Sequence, residues 1–278
     1  MTRERWSSAR LLRERGLTAK KSFGQNFLQD VAIAERIAAL ATPAPGGTVI
    51  ELGAGLGALT APLADRAARV VAVERDRDLV PLLRELFADV PSVHVLEADA
   101  AQVDFDELLR DCPAPRVVAG NLPYQLTGRL IEKTTHAAPL IDRAVFMVQR
   151  EVADRLVAGA GTEHYGALSV FAQAAFRVER ALRVSAGAFH PRPQVESAVV
   201  VLAPLSPPQA EETEAFRELV RRGFQSRRKK LSNAWRGAFG WSDAELAAQA
   251  EAAGVSLDAR GETLSVQDFA RVAARASG

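Results

Sequence analysis

Residues 48–57 read TVIELGAGLG, and this stretch decides the fold class. The first five residues are rich in β-branched side chains, which favour a strand. The glycines Gly53, Gly55 and Gly57 follow at once. Glycine allows a tight turn and lets the backbone come close to a bound molecule. The stretch therefore predicts a buried strand that ends in a ligand-binding turn, as in the first β-α unit of a doubly wound sheet.

The chain on both sides of this turn repeats the β-α pattern. Helices are predicted at 31–41, 58–67 and 78–88, and further apolar strands at 70–73, 93–96, 116–119 and 144–148. Strands that alternate with helices form right-handed units and a parallel sheet. Two later strands, 176–184 and 195–202, have no long helix between them, which suggests an antiparallel pair at the sheet edge. The prediction is an α/β fold with a doubly wound, mostly parallel sheet.

The pattern changes after the proline-rich segment 204–208. Everything beyond it is predicted to be helical, with helices at 211–223, 227–238, 243–253 and 266–275. We therefore predict two domains: an α/β domain at 1–205 and a small all-helical domain at 206–278.

Composition narrows the class of protein. The chain has 278 residues, a net charge of +1 and a single cysteine, Cys112. A disulfide within the chain is impossible, and a reducing compartment is expected. There is no C-x-x-C or H-E-x-x-H zinc pattern and no apolar run long enough to cross a membrane. Residues 1–16 are charged throughout and lack the apolar core that a signal peptide has. We expect a cytoplasmic protein that binds no metal and no membrane and, since no exposed apolar seam is evident, acts as a monomer.

Acidic residues follow two of the predicted strands. Glu74 ends the second strand, about 20 residues after Gly53, and Asp99 follows the third. Ligands of open parallel sheets bind outside the carboxyl ends of the strands. Glu74 there can accept hydrogen bonds from ribose hydroxyls, and Asp99 from an adenine amine. The turn also fits the dinucleotide pattern G-x-G-x-x-A, so a nicotinamide-dependent dehydrogenase remains an alternative on this motif alone.

The fourth strand runs into GNLPY, residues 120–124, which contains no acid or base. The Asn121 side-chain oxygen and the Leu122 carbonyl can accept the two hydrogens of an adenine amine and favour a localised lone pair. Pro123 fixes the turn, and Tyr124 offers a flat face for a base. A sulfonium methyl donor has a neutral leaving group, so transfer needs alignment rather than a strong base. The motif thus favours methylation of an adenine amine.

The sequence resembles the ribosomal RNA adenine dimethylase family over nearly its whole length. The motifs that carry the resemblance are KKSFGQNFLQD, VIELGAGLGALT, VVAVERDRDL, EADA, GNLPY, MVQREVADRLVA, YGALSV, FHPRPQVESAVV, FQSRRKKLSNA and GETLSVQDFARVA. The resemblance implies a Rossmann-like methyltransferase with S-adenosylmethionine as donor. It implies Gln25, Asn26 and Leu28 beside the methionine and ribose, with the glycine turn of Gly53 and Gly55 beneath. It also implies Glu74 on the ribose, Asp99 and Ala100 on the adenine, Asn121 between donor and target, and Phe189 on the face of the target base opposite Tyr124.

The small-subunit branch of the family matches best. It implies dimethylation of two adjacent adenosines in the hairpin loop near the 3′ end of 16S rRNA, with a role in small-subunit biogenesis. The chain departs from the usual pattern after GNLPY, where QLTG at 125–128 replaces NIST, and in the permuted order at 224–229. Two alternatives stay open. One is the resistance-type enzyme for 23S rRNA, which typically has Ile and Phe where this chain has Leu122 and Tyr124. The other is a non-catalytic rRNA-binding assembly factor.

A basic segment in the helical domain is the predicted RNA contact. Six cations fall within residues 221–230: Arg221, Arg222, Arg227, Arg228, Lys229 and Lys230. Such a patch contacts phosphates and makes affinity depend on salt. The alternative is a solvated helix face.

Overall fold

The structure is a computed structural model that describes residues 8–226 and 228–276. These residues form two compact units, 8–153 with 179–203, and 154–178 with 204–276. The predicted domains divided the chain only once, at 205/206. The structure differs because the apolar side chains of 154–178, among them Val170 and Phe171, belong to the same core cluster as Phe216 and Leu219.

The first unit contains an α/β sheet. Its seven strands are β2 Thr48–Leu52, β3 Arg69–Glu74, β4 Val93–Glu97, β5 Arg116–Asn121, β6 Arg143–Gln149, β7 Phe176–Val184 and β9 Ser197–Pro204. They lie across the sheet in the order β4-β3-β2-β5-β6-β9-β7. The strands from β4 to β6 are parallel, and β9 runs antiparallel to β6. The predicted doubly wound, mostly parallel fold is confirmed, and the chain order reverses between β2 and β5, where such sheets bind ligands.

Close contact between the central strands depends on one glycine. A Cβ placed on Gly120 in β5 would lie 2.4 Å from the Leu52 carbonyl oxygen of β2. The adjoining residues of β2 are all buried. Gly120, the first residue of GNLPY, therefore lets β5 approach β2 closely where the motif begins.

Helices and one short ribbon complete the first unit. The helices are α1 Ser8–Glu14, α2 Val31–Ala41, α3 Thr60–Ala64, α4 Val80–Leu86, α5 Phe105–Leu109 and α6 Thr127–His136, and α7 Arg150–Val157 leads into the second unit. Asp30 caps α2 by accepting from the Ile33 amide at 3.1 Å. The ribbon pairs β1, Phe27–Leu28, antiparallel with β8, Phe189–His190. The sequence analysis predicts no strand at β1, because a strand of two residues carries no detectable period.

The second unit is helical. It contains α8 Ala167–Ala175, α9 Glu214–Gln225, α10 Leu231–Ala234, α11 Asp243–Ala252 and α12 Val266–Ala274. Phe216, Trp235 and Phe269 are fully buried at its centre, and the Trp235 indole donates to the Leu219 carbonyl at 2.9 Å.

One predicted helix of this unit, 227–238, is wrong. Among the described residues of that range, only the four of α10 are α-helical, and Ala238 begins a short 3-10 helix. Lys230 is extended (φ −67°, ψ 156°) and directly precedes that helix, while Gly237 takes a left-handed conformation (φ 68°) beyond it. No helix within the described ranges is long and apolar enough to cross a membrane.

Candidate functional site

A cleft opens in the first unit beyond the carboxyl ends of β2, β3 and β5. Every predicted donor or target residue lines it except Leu28 and Phe189. Those two are register partners in the β1–β8 ribbon and are only 4% and 3% exposed. The full lining is Phe23, Gly24, Gln25, Asn26, Phe27, Gly53, Gly55, Val73, Glu74, Arg75, Ala98, Asp99, Ala100, Asn121, Leu122, Pro123, Tyr124 and Leu126.

The Glu74 carboxylate organises the glycine turn. One oxygen accepts from the Gly55 amide at 2.8 Å, and the other accepts from the amides of Arg75 and Asp76 at 2.9 and 2.8 Å. Burial raises the pKa of Glu74, and the three amides partly offset that shift. Gly55 has φ 58°, and a Cβ there would lie 3.2 Å from the Phe27 ring. The turn therefore needs glycine, and Glu74 keeps it in place.

A second carboxyl lies behind the turn, within β2. Glu51 is 1% exposed, and the Thr60 hydroxyl donates to it at 2.6 Å. Burial raises the pKa of Glu51 to about 8. The neutral acid is therefore the favoured form at neutral pH, unlike an exposed glutamate.

Phe23 and Arg75 are among the cleft residues that the sequence analysis did not name. The Arg75 guanidinium lies 4.1 Å from the centre of the Phe23 ring and 3.5 Å from the Asp99 carboxylate. Asp99 also accepts from the Ala101 amide at 2.9 Å. The position of Arg75 in the sequence could have indicated this, because Arg75 directly follows Glu74 at the end of β3.

The Asn121 side chain is held in one orientation. Its amide nitrogen donates to the Asn26 backbone carbonyl at 3.0 Å, which leaves the side-chain oxygen as the atom able to accept from a ligand. The Leu122 amide donates to the Met147 carbonyl at 3.0 Å. The Pro123 carbonyl accepts from the Leu126 amide at 2.9 Å. GNLPY is thus a well-braced loop whose polar groups have defined directions.

Tyr124 lines the same cleft. Its hydroxyl oxygen is buried and has no hydrogen-bond partner in the part of the chain that the structure describes. A buried polar atom without a partner is costly, so this hydroxyl fits a site that a bound molecule or water completes.

Some cations of the basic segment 221–230 already form ion pairs with carboxylates of the protein. Arg222 forms an ion pair with Glu218 at 2.7 Å, and Lys230 forms one with Asp258 at 2.8 Å. Arg228 and Lys229 are exposed and form no ion pair with another described residue. Arg221 is exposed, and Arg227 lies outside the described residues. In this structure Arg228 and Lys229 are the cations of the segment best able to meet a polyanion.

Comparison with known proteins decides the family. The sequence model of ribosomal RNA adenine dimethylase matches residues 16–277. The chain belongs to the ribosomal RNA adenine dimethylase family. Family membership makes it a methyltransferase and removes the dehydrogenase alternative that the glycine turn left open.

Relatives and solved structures agree with this family. Proteins named ribosomal RNA small subunit methyltransferase A from Anaeromyxobacter dehalogenans and Geobacter sulfurreducens are 45% and 42% identical to the chain. The alignments cover 96% and 93% of this chain, and 97% and 95% of those proteins. A dimethyladenosine transferase from Plasmodium falciparum shares the fold, with a TM-score of 0.72, 23% identity and coverage of 88% of this chain and 95% of that one. The 23S rRNA methyltransferase ErmE has a TM-score of 0.66 and 27% identity over 91% of this chain and all of that one.

Proposed function

We propose that this enzyme dimethylates the exocyclic amines of two adjacent adenosines in the hairpin loop near the 3′ end of 16S rRNA. It uses S-adenosylmethionine and acts in the cytoplasm, as a monomer, in small-subunit biogenesis. The observation that carries the proposal is the Asn121 amide, held by the Asn26 carbonyl so that its oxygen is left to accept from an amine in the cleft. The identities of 42% and 45% to small-subunit enzymes, against 27% to a 23S enzyme, favour the small subunit.

The residues of the cleft suit S-adenosylmethionine. Glu74 would hold the ribose, because the oxygen that accepts only from the Gly55 amide keeps a lone pair for a ribose hydroxyl, whereas the other oxygen already accepts from two amides. Asp99 and Ala100 would contact the adenine, and Gln25, Asn26 and Gly53 the rest of the donor. When bound, the donor supplies an electrophilic methyl group on a sulfonium whose departure leaves a neutral thioether.

The chain's own part in the reaction is to hold the target amine. The Asn121 oxygen and the Leu122 carbonyl would each accept one amine hydrogen, which keeps the nitrogen lone pair directed at the donor. Tyr124 would stack on the base, as enzymes do with bases taken out of a helix or loop. For Phe189 to cover the other face, β8 must move from β1, because its ring is 3% exposed here. Leu28 would stand beside the methionine and ribose of the donor, from its place in the same ribbon next to the cleft residue Phe27.

The helical unit would supply the electrostatic contacts to rRNA. Arg228 and Lys229 are exposed and form no ion pair with another described residue. We therefore propose them as phosphate contacts. Arg221, Arg222, Arg227 and Lys230 would add to the patch, although Arg222 and Lys230 must exchange their present carboxylate partners to do so.

The first test is methyl transfer from labelled S-adenosylmethionine to unmethylated small subunits, with large-subunit rRNA in parallel and the modified bases identified after digestion. Dimethyladenosine in 16S rRNA alone supports the proposal. Modification of 23S rRNA would instead support the resistance-type function. Donor binding without transfer to either RNA would support an assembly factor.

The Asn121→Ala variant tests the role of the amide. It should bind S-adenosylmethionine with nearly unchanged affinity, measured by calorimetry, and lose about a hundredfold or more in single-turnover rate. Asn233→Ala, which removes an exposed asparagine of α10, is the matched control and should retain full activity. An unchanged rate in Asn121→Ala would refute the acceptor role.

A further inference from the structure

One wall of the cleft is a short segment that runs into β1. Residues 20–27, which we term the strap, contribute five consecutive lining residues, 23–27. The strap ends in β1, where Phe27 pairs with His190. Its other end pairs with no strand of the described residues, so the position of the strap over the cleft depends on side chains.

Asp76 holds that end of the strap. Its side chain is 2% exposed and accepts from the Lys20 ammonium at 2.5 Å and from the Gln25 amide nitrogen at 2.7 Å. The Lys20 backbone amide donates in turn to the Gln25 side-chain oxygen at 2.7 Å. Burial acts to raise the pKa of Asp76, but the hydrogen bonds from Lys20 and Gln25 outweigh it and hold that pKa below its usual value. Asp76 is therefore a buried anion with several charge-assisted hydrogen bonds, the strong kind.

The same contact reaches the reacting centre in two steps. Gln25 is followed by Asn26, whose backbone carbonyl accepts from the Asn121 amide nitrogen at 3.0 Å. Since the Gln25 side chain is engaged by both Asp76 and Lys20, it serves as the latch of the strap. The direction of the Asn121 side chain therefore depends on where Asp76 holds the strap.

The geometry points to Asp76 as a positioning residue for methyl transfer, which acts through Gln25 and the Asn26 carbonyl to orient the Asn121 amide. This role rests on the proposed function and adds to it a residue outside the cleft lining. A purely structural Asp76 would stabilise the fold without any specific effect on Asn121. The two roles therefore differ in what happens at Asn121.

The first experiment needs no RNA. In the full-length protein with ¹⁵N-labelled asparagine, the Asn121 side-chain amide signal is assigned by its loss in Asn121→Ala. Asp76→Ala should shift this signal and speed its hydrogen exchange. Asp78→Ala is the matched control. Asp78 is a neighbouring carboxylate that also pairs with Lys20, at 2.7 Å, but does not bind Gln25. Its replacement should leave the Asn121 signal unchanged. An unmoved Asn121 signal in Asp76→Ala refutes the proposal, whether or not the protein methylates 16S rRNA.

The second experiment measures coupling. Asp76→Ala should lower the single-turnover rate by about tenfold or more in the wild-type background. In the Asn121→Ala background it should lower the residual rate by less than about twofold, because the group that it positions is gone. Equal losses in both backgrounds would show that Asp76 acts only on the fold.

A reciprocal exchange keeps the test informative if Asp76→Ala folds poorly. Gln25→Glu alone places two carboxylates together and should lower the rate and shift the Asn121 signal. Combining it with Asp76→Asn restores one amide and one carboxylate at the contact and should recover both. If the double variant has wild-type thermal stability but does not recover the Asn121 signal, the Asp76–Gln25 contact does not position Asn121 and the proposal is wrong.

Discussion

The carboxyl of Glu51 makes the stability of the first unit depend on pH. Its pKa rises from 4.5 to about 8 on burial, so folding favours its protonated form. Below about pH 4.5 the group is neutral in both states and its full contribution to stability is present. As the pH rises from there through about 8, unfolding increasingly releases a proton, and the free energy of unfolding falls by about 1.4 kcal/mol per pH unit. The loss reaches about 3 kcal/mol by pH 7.

Glu51→Gln should remove that loss. Glutamine has nearly the same shape, can still accept from the Thr60 hydroxyl and does not ionise. The variant should therefore gain stability relative to wild type as the pH rises, by about 1.4 kcal/mol per unit near pH 6 and about half of that near pH 8, which gives about 2 kcal/mol in all between pH 6 and 8. The difference in the free energy of unfolding between variant and wild type is the quantity to compare, because the contributions of the other titrating groups largely cancel in it.

Hydrogen exchange of the β2 amides is the suitable assay. Trp235 and Trp241 lie in the second unit, so their fluorescence does not report the opening of β2. Glu97→Gln is the control, because Glu97 is exposed and its only ion pair with a described residue is the 3.4 Å one to Arg77. It should change stability by less than about 0.5 kcal/mol at every pH. If Glu51→Gln and wild type differ by the same amount at pH 6 and pH 8, Glu51 is ionised in the folded protein and the argument from burial is wrong.

Two further predictions concern the RNA surface and the central strands. Replacing Arg228 and Lys229 by Ala should reduce the slope of the logarithm of the 16S rRNA binding constant against the logarithm of the salt concentration by about 2. Lys230→Ala, which removes an ion-paired cation, should change that slope less. Equal effects of the two changes would contradict the proposal that Arg228 and Lys229 are the main phosphate contacts. Gly120→Ala places a Cβ 2.4 Å from a backbone oxygen and should cost about 2–3 kcal/mol, while Gly128→Ala, in a helix with open space around it, should gain about 0.5–1 kcal/mol. Thermal unfolding of the Gly120→Ala and Gly128→Ala variants measures the difference. Similar unfolding temperatures for the two would show that β5 can move away from β2.

Most of the sheet could be predicted from local patterns. TVIELGAGLG carries both the strand and the turn that must follow it, and Glu74 could be located because it ends the next strand. Each of these signals lies within a few neighbouring residues. The departures came where local signals were weak: α10 is short because the backbone bends at Lys230 and Gly237, and residues 154–178 joined the helical unit through side-chain packing.

The candidate site shows the same division. The sequence alone determined which residues stand at the ends of the strands, including Asn121 and Tyr124, because strand and turn propensities are local. Only the tertiary structure decided how they are held. The Asp76–Gln25 contact joins residues 51 positions apart, and the contact from Asn121 to the Asn26 carbonyl joins residues 95 apart. Such contacts form only when the whole sheet has brought its loops together, because their energy depends on geometry set by distant parts of the chain.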